Sequence, residues 1–210
     1  MTTNGSADHT VGSIEQLEQL YTPVNPNSLM KELDYVHDHY RALIEAAPFV
    51  AIASAGPEGL DCTPRGDHPG FVRVQDEKTL LIPDRRGNNR IDTLRNIVRD
   101  GRIALLFLIP GIGETLRVNG QAVISIDPDL LQSFAVDGKP PRSVLVVTVE
   151  RIYFQCSKAI VRSKLWDPSR QLARSALPST GTIIATLSKG VVDAETYDRE
   201  MPIRIPQQLY

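Results

Sequence analysis

Six consecutive residues, Arg85-Arg86-Gly87-Asn88-Asn89-Arg90, concentrate the chemistry of this chain. Guanidinium groups grip phosphate or carboxylate oxygens in pairs, and a Gly/Asn turn leaves backbone N–H groups open to an anion. Asn88 or Asn89 is placed to cap a following helix, because a short amide side chain accepts from the unpaired N–H groups there. Taken alone, the segment reads equally well as a solvated basic turn.

Three further clusters bear on that choice. In Cys62-Thr-Pro-Arg-Gly-Asp67, a hydroxyl, a cation and a carboxylate (Thr63, Arg65, Asp67) meet at a glycine turn. The cluster is either a local Arg65–Asp67 pair or a cation set beside a bound anion or electron-rich ring, with Gly66 letting the backbone approach closely. Arg117 and Asn119 lie two apart in an extended run and so share one strand face, either solvated or turned to a ligand. Lys158 and Arg162 are four apart, with Trp166 continuing the spacing. On a helix they form a basic face with a packing anchor, or together a dock for an anionic, ring-bearing ligand.

Other chemistries lack their residues. The chain has no G-x-G-x-x-G, P-loop, G-x-S-x-G or H-E-x-x-H pattern. Its histidines (His9, His37, His39, His68) do not form a metal-ligand set, and Cys62 and Cys156 lack C-x-x-C spacing. No nucleophile–base pair is readable, so catalytic side chains are unassigned. Lys plus Arg is 23 against 25 for Asp plus Glu, a formal charge of −2, so any anion site must be local. That balance, and the want of an aromatic stacking platform, argue against nucleic acid as a partner. Met1–Gly12 has no apolar core and no run approaches the ~20 apolar residues of a membrane span, so a soluble, cytoplasmic protein without a membrane partner is expected.

The elements that must position these clusters follow from pattern. Residues 1–12 are expected to be disordered. Residues 13–47 form an N-terminal helical segment: Ser13 with Gln16 opens a short helix, and Ser28 starts a longer one through Ile44 that Pro48 stops. Residues 48–210 form the main domain. Its strands are predicted at Phe49–Ser54, Leu60–Pro64, Phe71–Val74, Thr79–Ile82, Ile103–Ile109, Thr115–Ile126 and Ser143–Phe154. A helix follows the arginine turn with Leu94, Ile97 and Val98 inward, and Asp127-Pro128 opens another. Lys158–Trp166 reads as helical, and Thr182–Leu187 as apolar without a settled type. Six or seven strands joined by short turns argue for a mainly β, α+β fold: an antiparallel barrel, closed or nearly so to hide its edges.

In that order the segments resemble a known family. From about Pro48 to Trp166 the chain is similar to the FMN-binding split barrel of the pyridoxamine 5′-phosphate oxidase-like superfamily, in an uncharacterised bacterial branch. The resemblance is carried by Thr63-Pro-Arg-Gly-Asp67, Leu81-Ile-Pro-Asp-Arg-Arg-Gly-Asn-Asn-Arg90, Leu106–Gly111, Thr115–Gly120, Cys156–Ala159 and Arg162–Trp166. It implies a homodimer holding two FMN molecules between its subunits. Arg85, Asn89 and Arg90, with Asn88 in the same turn, would hold the FMN phosphate. Arg65, Gly66 and Asp67 would lie near the flavin's polar edge. Arg117, Asn119, Lys158 and Trp166 would approach from a neighbouring strand or from the second subunit. The pattern departs from vitamin B6 oxidases, which carry a Ser-Arg-Lys type turn and a C-terminal Arg-x-His, whereas here Arg204 precedes Ile205-Pro206. The function implied is an FMN-dependent oxidoreductase acting on a small molecule with an unidentified electron donor. The alternatives are a deazaflavin in place of FMN and a non-catalytic flavin or haem binder of the same fold.

Overall fold

The structure, a computed structural model, describes residues 9–210, and residues 1–8 of the expected disordered stretch lie outside it. The chain divides into a short N-terminal unit ending at Glu32 and a main unit, Leu33–Tyr210.

In the first unit, helix α1 (Ile14–Leu20) begins where Ser13 Oγ accepts the Gln16 N–H at 3.2 Å. Gln16 reaches back to the N–H of Gly12 at 2.9 Å, so the expected reciprocal cap is formed one residue early. Helix α2 (Pro26–Met30) starts with proline, whose missing N–H costs nothing in a first turn.

The longer helix expected from Ser28 to Ile44 is not continuous. Leu33 bridges to Ile152, its N–H donating at 3.0 Å and its carbonyl accepting at 2.8 Å. Helix α3 (Asp38–Ala46) starts only after His37, whose Nδ1 accepts from the N–H of His39 at 3.2 Å. The helical spacing of the apolar residues is real, but a backbone paired with a strand cannot also close helical turns.

The main unit is built on seven strands: β1 (Phe49–Gly56), β2 (Gly59–Gly66), β3 (Arg73–Asp76), β4 (Thr79–Asp84), β5 (Arg102–Leu108), β6 (Thr115–Ser125) and β7 (Ser143–Gln155). They form one antiparallel sheet in the order β2-β1-β5-β6-β7-β4-β3. The sheet curls without closing, since β2 and β3 remain edges. This is the split barrel of the sequence expectation. Side chains alternate along β1, β5 and β6, so Val50, Ile52, Leu105, Phe107, Leu116 and Val118 all point to one core. Each such side chain, fully buried, contributes about 1.5–3 kcal/mol. Ile44 and Tyr40 of α3 are buried in the same core. Gly120 sits where the β6–β7 register slips, and a Cβ there would lie 1.9 Å from the Thr148 carbonyl oxygen. Only glycine lets the strands approach so closely.

Strand β4 is buried on both sides. Leu80 and Ile82 enter the main core, while Leu81 packs with Phe134 and Val144 in a second cluster. Leu130 and Leu131 of α5 (Pro128–Ser133), capped by Asp127, border that cluster. The chain leaving β4 is therefore held from two directions just before the arginine turn.

Helix α4 (Asp92–Arg99) buries Thr93, Asn96 and Ile97, with Leu94 half-buried. Val98, expected inward, is 76% exposed. Polar residues take the inward face because the sheet offers them partners: Thr93 Oγ1 donates to Asp61 Oδ2, and Asn96 Nδ2 to Ser54 Oγ at 3.2 Å. Helix α6 (Lys158–Ser163) ends earlier than expected, since Lys164 takes a left-handed φ of 51° and turns Trp166 off the helical face. Thr180–Leu187 is helix α7, and it packs on α8 (Ala194–Gln207), which has no counterpart in the sequence reading.

Candidate functional site

At the open seam of the sheet lies a cleft of about 330 Å³. Its walls come from four places. The end of β2 gives Thr63, Pro64, Arg65 and Gly66; the end of β4 gives Pro83 and Asp84. The turn contributes residues 85–91, and the start of β7 contributes Ser143 with Arg142 before it. Phe71 and Leu94 add apolar surface. Pairing of β4 with β7 places Asp84 opposite Ser143, which is why Arg142 arrives beside the turn. There Arg142 Nη1 donates to Asn89 Oδ1 at 2.7 Å. Asn89 sits at φ 60°, a left-handed conformation that asparagine tolerates better than most residues.

The local Arg65–Asp67 pair, one of the two readings of this cluster, is not formed; two crossed pairs stand in its place. Arg65 Nη2 meets Asp84 Oδ1 at 3.0 Å, and its Nη1 donates to Thr63 Oγ1 at 3.1 Å and the Pro64 carbonyl at 3.0 Å. Arg85 Nε meets Asp67 Oδ2 at 3.0 Å, while Nη1 donates to the Phe134 carbonyl at 2.7 Å. The Asp67 side chain is only 6% exposed and that of Arg85 16%. Burial pushes the Asp67 carboxyl up, but hydrogen bonds from Tyr210, the His68 N–H and Arg85 outweigh it and hold the group below the usual carboxylate range. The Tyr210 phenol, bound to that carboxylate, is raised.

Neither Asn88 nor Asn89 caps α4. Ile91 occupies the N-cap without a side-chain bond, and Asn88 Oδ1 instead accepts the Arg90 N–H at 2.9 Å. Asp92 already places a carboxylate in the first turn, where Arg90 Nε meets it at 2.5 Å. The anion-attracting element is therefore the guanidinium set rather than the helix terminus. Five arginines (Arg65, Arg85, Arg86, Arg90, Arg142) line the cleft against one aspartate, Asp84. Arg86 makes no hydrogen bond or ion pair with any described residue and is the freest of them.

Of the residues singled out from sequence, Arg65, Gly66, Arg85, Asn88, Asn89 and Arg90 line this cleft. Asp67 stands behind it through Arg85. Arg117, Asn119, Lys158 and Trp166 do not line it. Arg117 and Asn119 share the half-exposed outer face of β6, as their spacing predicts, with Arg117 Nε 3.4 Å from Asn119 Oδ1. The Arg117 guanidinium lies 5.8 Å from the Tyr153 ring centre. Trp166 Nε1 donates to the Ile112 carbonyl at 2.8 Å, tying the segment after α6 to the β5–β6 turn, while Lys158 is exposed in the first turn of that helix. Arg142, Ser143 and Tyr210 were not singled out from sequence. Each reaches the site through strand pairing or a distant contact, so no local pattern marked them.

An open, seven-stranded antiparallel split barrel with a cationic cleft at its seam defines the class of this protein. Residues 36–156 match the family model described as pyridoxamine 5′-phosphate oxidase, and the chain belongs to that family. No curated protein matches the chain significantly. Among solved structures it is similar to HupZ of Group A Streptococcus at 20% identity, covering 58% of this chain and 95% of that one, with a TM-score of 0.48. A putative pyridoxamine 5′-phosphate oxidase from Lactobacillus delbrueckii is 20% identical over 59% of this chain and 99% of that one, with a TM-score of 0.46. An FMN-binding protein from Syntrophomonas wolfei is 13% identical over 54% and 82%, with a TM-score of 0.42. Among the described residues no helix is long and apolar enough to cross a membrane.

Proposed function

We propose that this protein binds FMN in the seam cleft and uses it as an oxidoreductase toward a small molecule. One observation carries the reading: five arginines and one aspartate line a cleft whose remaining wall includes Phe71, Pro83, Ile91 and Leu94. Such a lining suits a ligand with an anionic end and a flat apolar body. The donor set fits a phosphate, because Arg86 has no partner among the described residues and Arg90 and Arg142 each have only one guanidinium nitrogen bonded to a described side chain.

In this reading Arg86, Arg90 and Arg142 hold the phosphate together with the free edge of Arg85. Arg65, fixed by Asp84 and Thr63, supplies a cation to the polar edge of the ring. A bound flavin brings the redox chemistry, and the protein binds, orients and tunes it. A cation beside the ring favours its anionic reduced form, and water is excluded from one side by the apolar wall. The cleft lining contains no histidine, so a haem occupant would lack an axial imidazole there.

The sheet's outer face suits a second copy of the chain. Ala51, Leu106, Arg117 and Tyr153 lie in register across β1, β5, β6 and β7 and stay half-exposed. A homodimer packed on this row would give Arg117 and Asn119 a role at the partner's cleft, with Lys158 and Trp166 nearby. Small and apolar residues beside a cation and an aromatic ring are the composition of a buried interface.

The test is an absorbance spectrum of the purified protein, with mass spectrometry of whatever heat releases. Near-ultraviolet and blue flavin bands with an FMN mass support the reading, and reduction by NADH or NADPH then tests catalysis. A colourless protein that also refuses added FMN overturns it.

A further inference from the structure

The three nitrogens of Arg85 are not equally available. Nε is taken by Asp67 and Nη1 by the Phe134 carbonyl, which leaves Nη2 without a partner among the described residues. The direction of that free edge depends on Asp67, and Asp67 is itself clamped. Its Oδ1 accepts the Tyr210 hydroxyl at 2.6 Å and the His68 N–H at 2.8 Å, while Oδ2 takes Arg85. Tyr210 also sets its ring centre 5.3 Å from the Arg85 guanidinium carbon. A residue 143 positions along the chain from Asp67 thus touches both members of the pair. It does so without lining the seam cleft. It lines a separate pocket of about 150 Å³ that shares Arg85, Arg86 and Arg142 with the seam cleft.

We propose that Tyr210 is a positioning residue for Arg85: by clamping Asp67 and covering the guanidinium, it aims the one free Arg85 edge at the anionic end of the ligand. The inference rests on the FMN reading and assigns the effect of Tyr210 to the phosphate rather than to the flavin ring. Tyr210 touches no ligand itself and acts only through Arg85. A hydroxyl that merely held the chain's last segment in place would influence FMN and riboflavin alike. One that aims Arg85 at phosphate distinguishes the two, because riboflavin carries the same ring without the phosphate.

The experiment is a fluorescence titration of flavin-free, full-length protein with FMN and, separately, with riboflavin. The Tyr210→Phe variant keeps the ring and loses the hydroxyl. It is expected to raise the Kd for FMN about tenfold, the change that follows loss of a hydrogen bond to a charged group, and to leave riboflavin within about twofold. Tyr210→Ala removes the ring as well and weakens FMN further, with riboflavin still unchanged. Asp67→Asn gives the same selective loss, and adding Tyr210→Phe to it weakens FMN little more, because both act through one guanidinium. Equal losses for FMN and riboflavin, or no loss in Tyr210→Phe, overturn the inference while leaving the FMN reading standing. Wild-type protein that binds FMN no more tightly than riboflavin overturns the phosphate reading, and this inference with it.

Discussion

Arg65 Nη2 lies 3.0 Å from Asp84 Oδ1 although their strands, β2 and β4, are not neighbours in the sheet and four strands stand between them. The pair clasps the seam of the split barrel. Beside it Asp67 and Arg85 make a second clasp in the opposite sense, carboxylate from the β2 side and cation from the β4 side. The cleft therefore lies where the sheet fails to close, and the groups that line it also hold that gap at a fixed width.

This division of labour separates the arginines. Arg86→Ala removes a guanidinium with no partner among the described residues, so FMN affinity should fall ten- to hundredfold, the scale of one charge-assisted contact, with the melting temperature unchanged (about 1.5–3 kcal/mol of binding). Arg85→Ala should weaken FMN and also lower stability, since it leaves the buried Asp67 carboxylate without its cation and the Phe134 carbonyl without that donor. Titration and thermal unfolding on both variants check this. Equal stability losses would refute the distinction.

The Asp67 carboxyl is held below its ordinary value, so its ionised form favours the folded state. The sign follows from linkage: stability from this group is fully present above the unfolded-state pKa, near 3.8, and is lost as pH falls through the lower folded value. The titratable groups around it are Arg85 and Tyr210 in contact, with Arg85 in turn acting on Arg73 and Asp137 on Tyr210. Denaturant midpoints of wild type and Asp67→Asn should differ most near neutral pH and converge on acidification below about pH 4. A gap that stays constant to pH 3 would exclude the assignment.

Gly120→Ala drives a methyl group into the Thr148 carbonyl at the bulge between β6 and β7. Overpacking of this kind costs about 1–3 kcal/mol, which for a chain of this size lowers Tm by roughly 2–12 °C. Differential scanning calorimetry measures it. A Tm within one degree of wild type would mean that the strands separate more easily at the bulge than the close approach implies.

Arg117→Glu tests the proposed face-to-face dimer. The substitution reverses charge at the centre of the half-exposed row and removes a cation lying over Tyr153. Sedimentation equilibrium should report a dimer for wild type and a shift toward monomer for the variant, with FMN affinity reduced in parallel. A wild-type monomer that binds FMN fully would place the whole site within one chain.

Much of this was local enough to read from residue order. Strand alternation and the Asp127 cap are written in neighbouring side chains, because pleat and cap geometry span only a few residues. The arginine turn was legible too, since its composition and its place after an apolar strand both point to an anion. Local pattern erred where tertiary partners outbid it. The helix expected from Ser28 to Ile44 was broken by the pairing of Leu33 with Ile152, and Val98 was turned outward because Thr93 and Asn96 found polar partners on the sheet. Which arginine is free and which is structural was decided only by the fold. Arg85 and Arg86 are adjacent and chemically identical, yet Asp67, Phe134 and Tyr210 converge on one and leave the other open. That choice depends on contacts that span 18, 49 and 143 residues, separations at which neighbouring residues carry no information about who the partner will be.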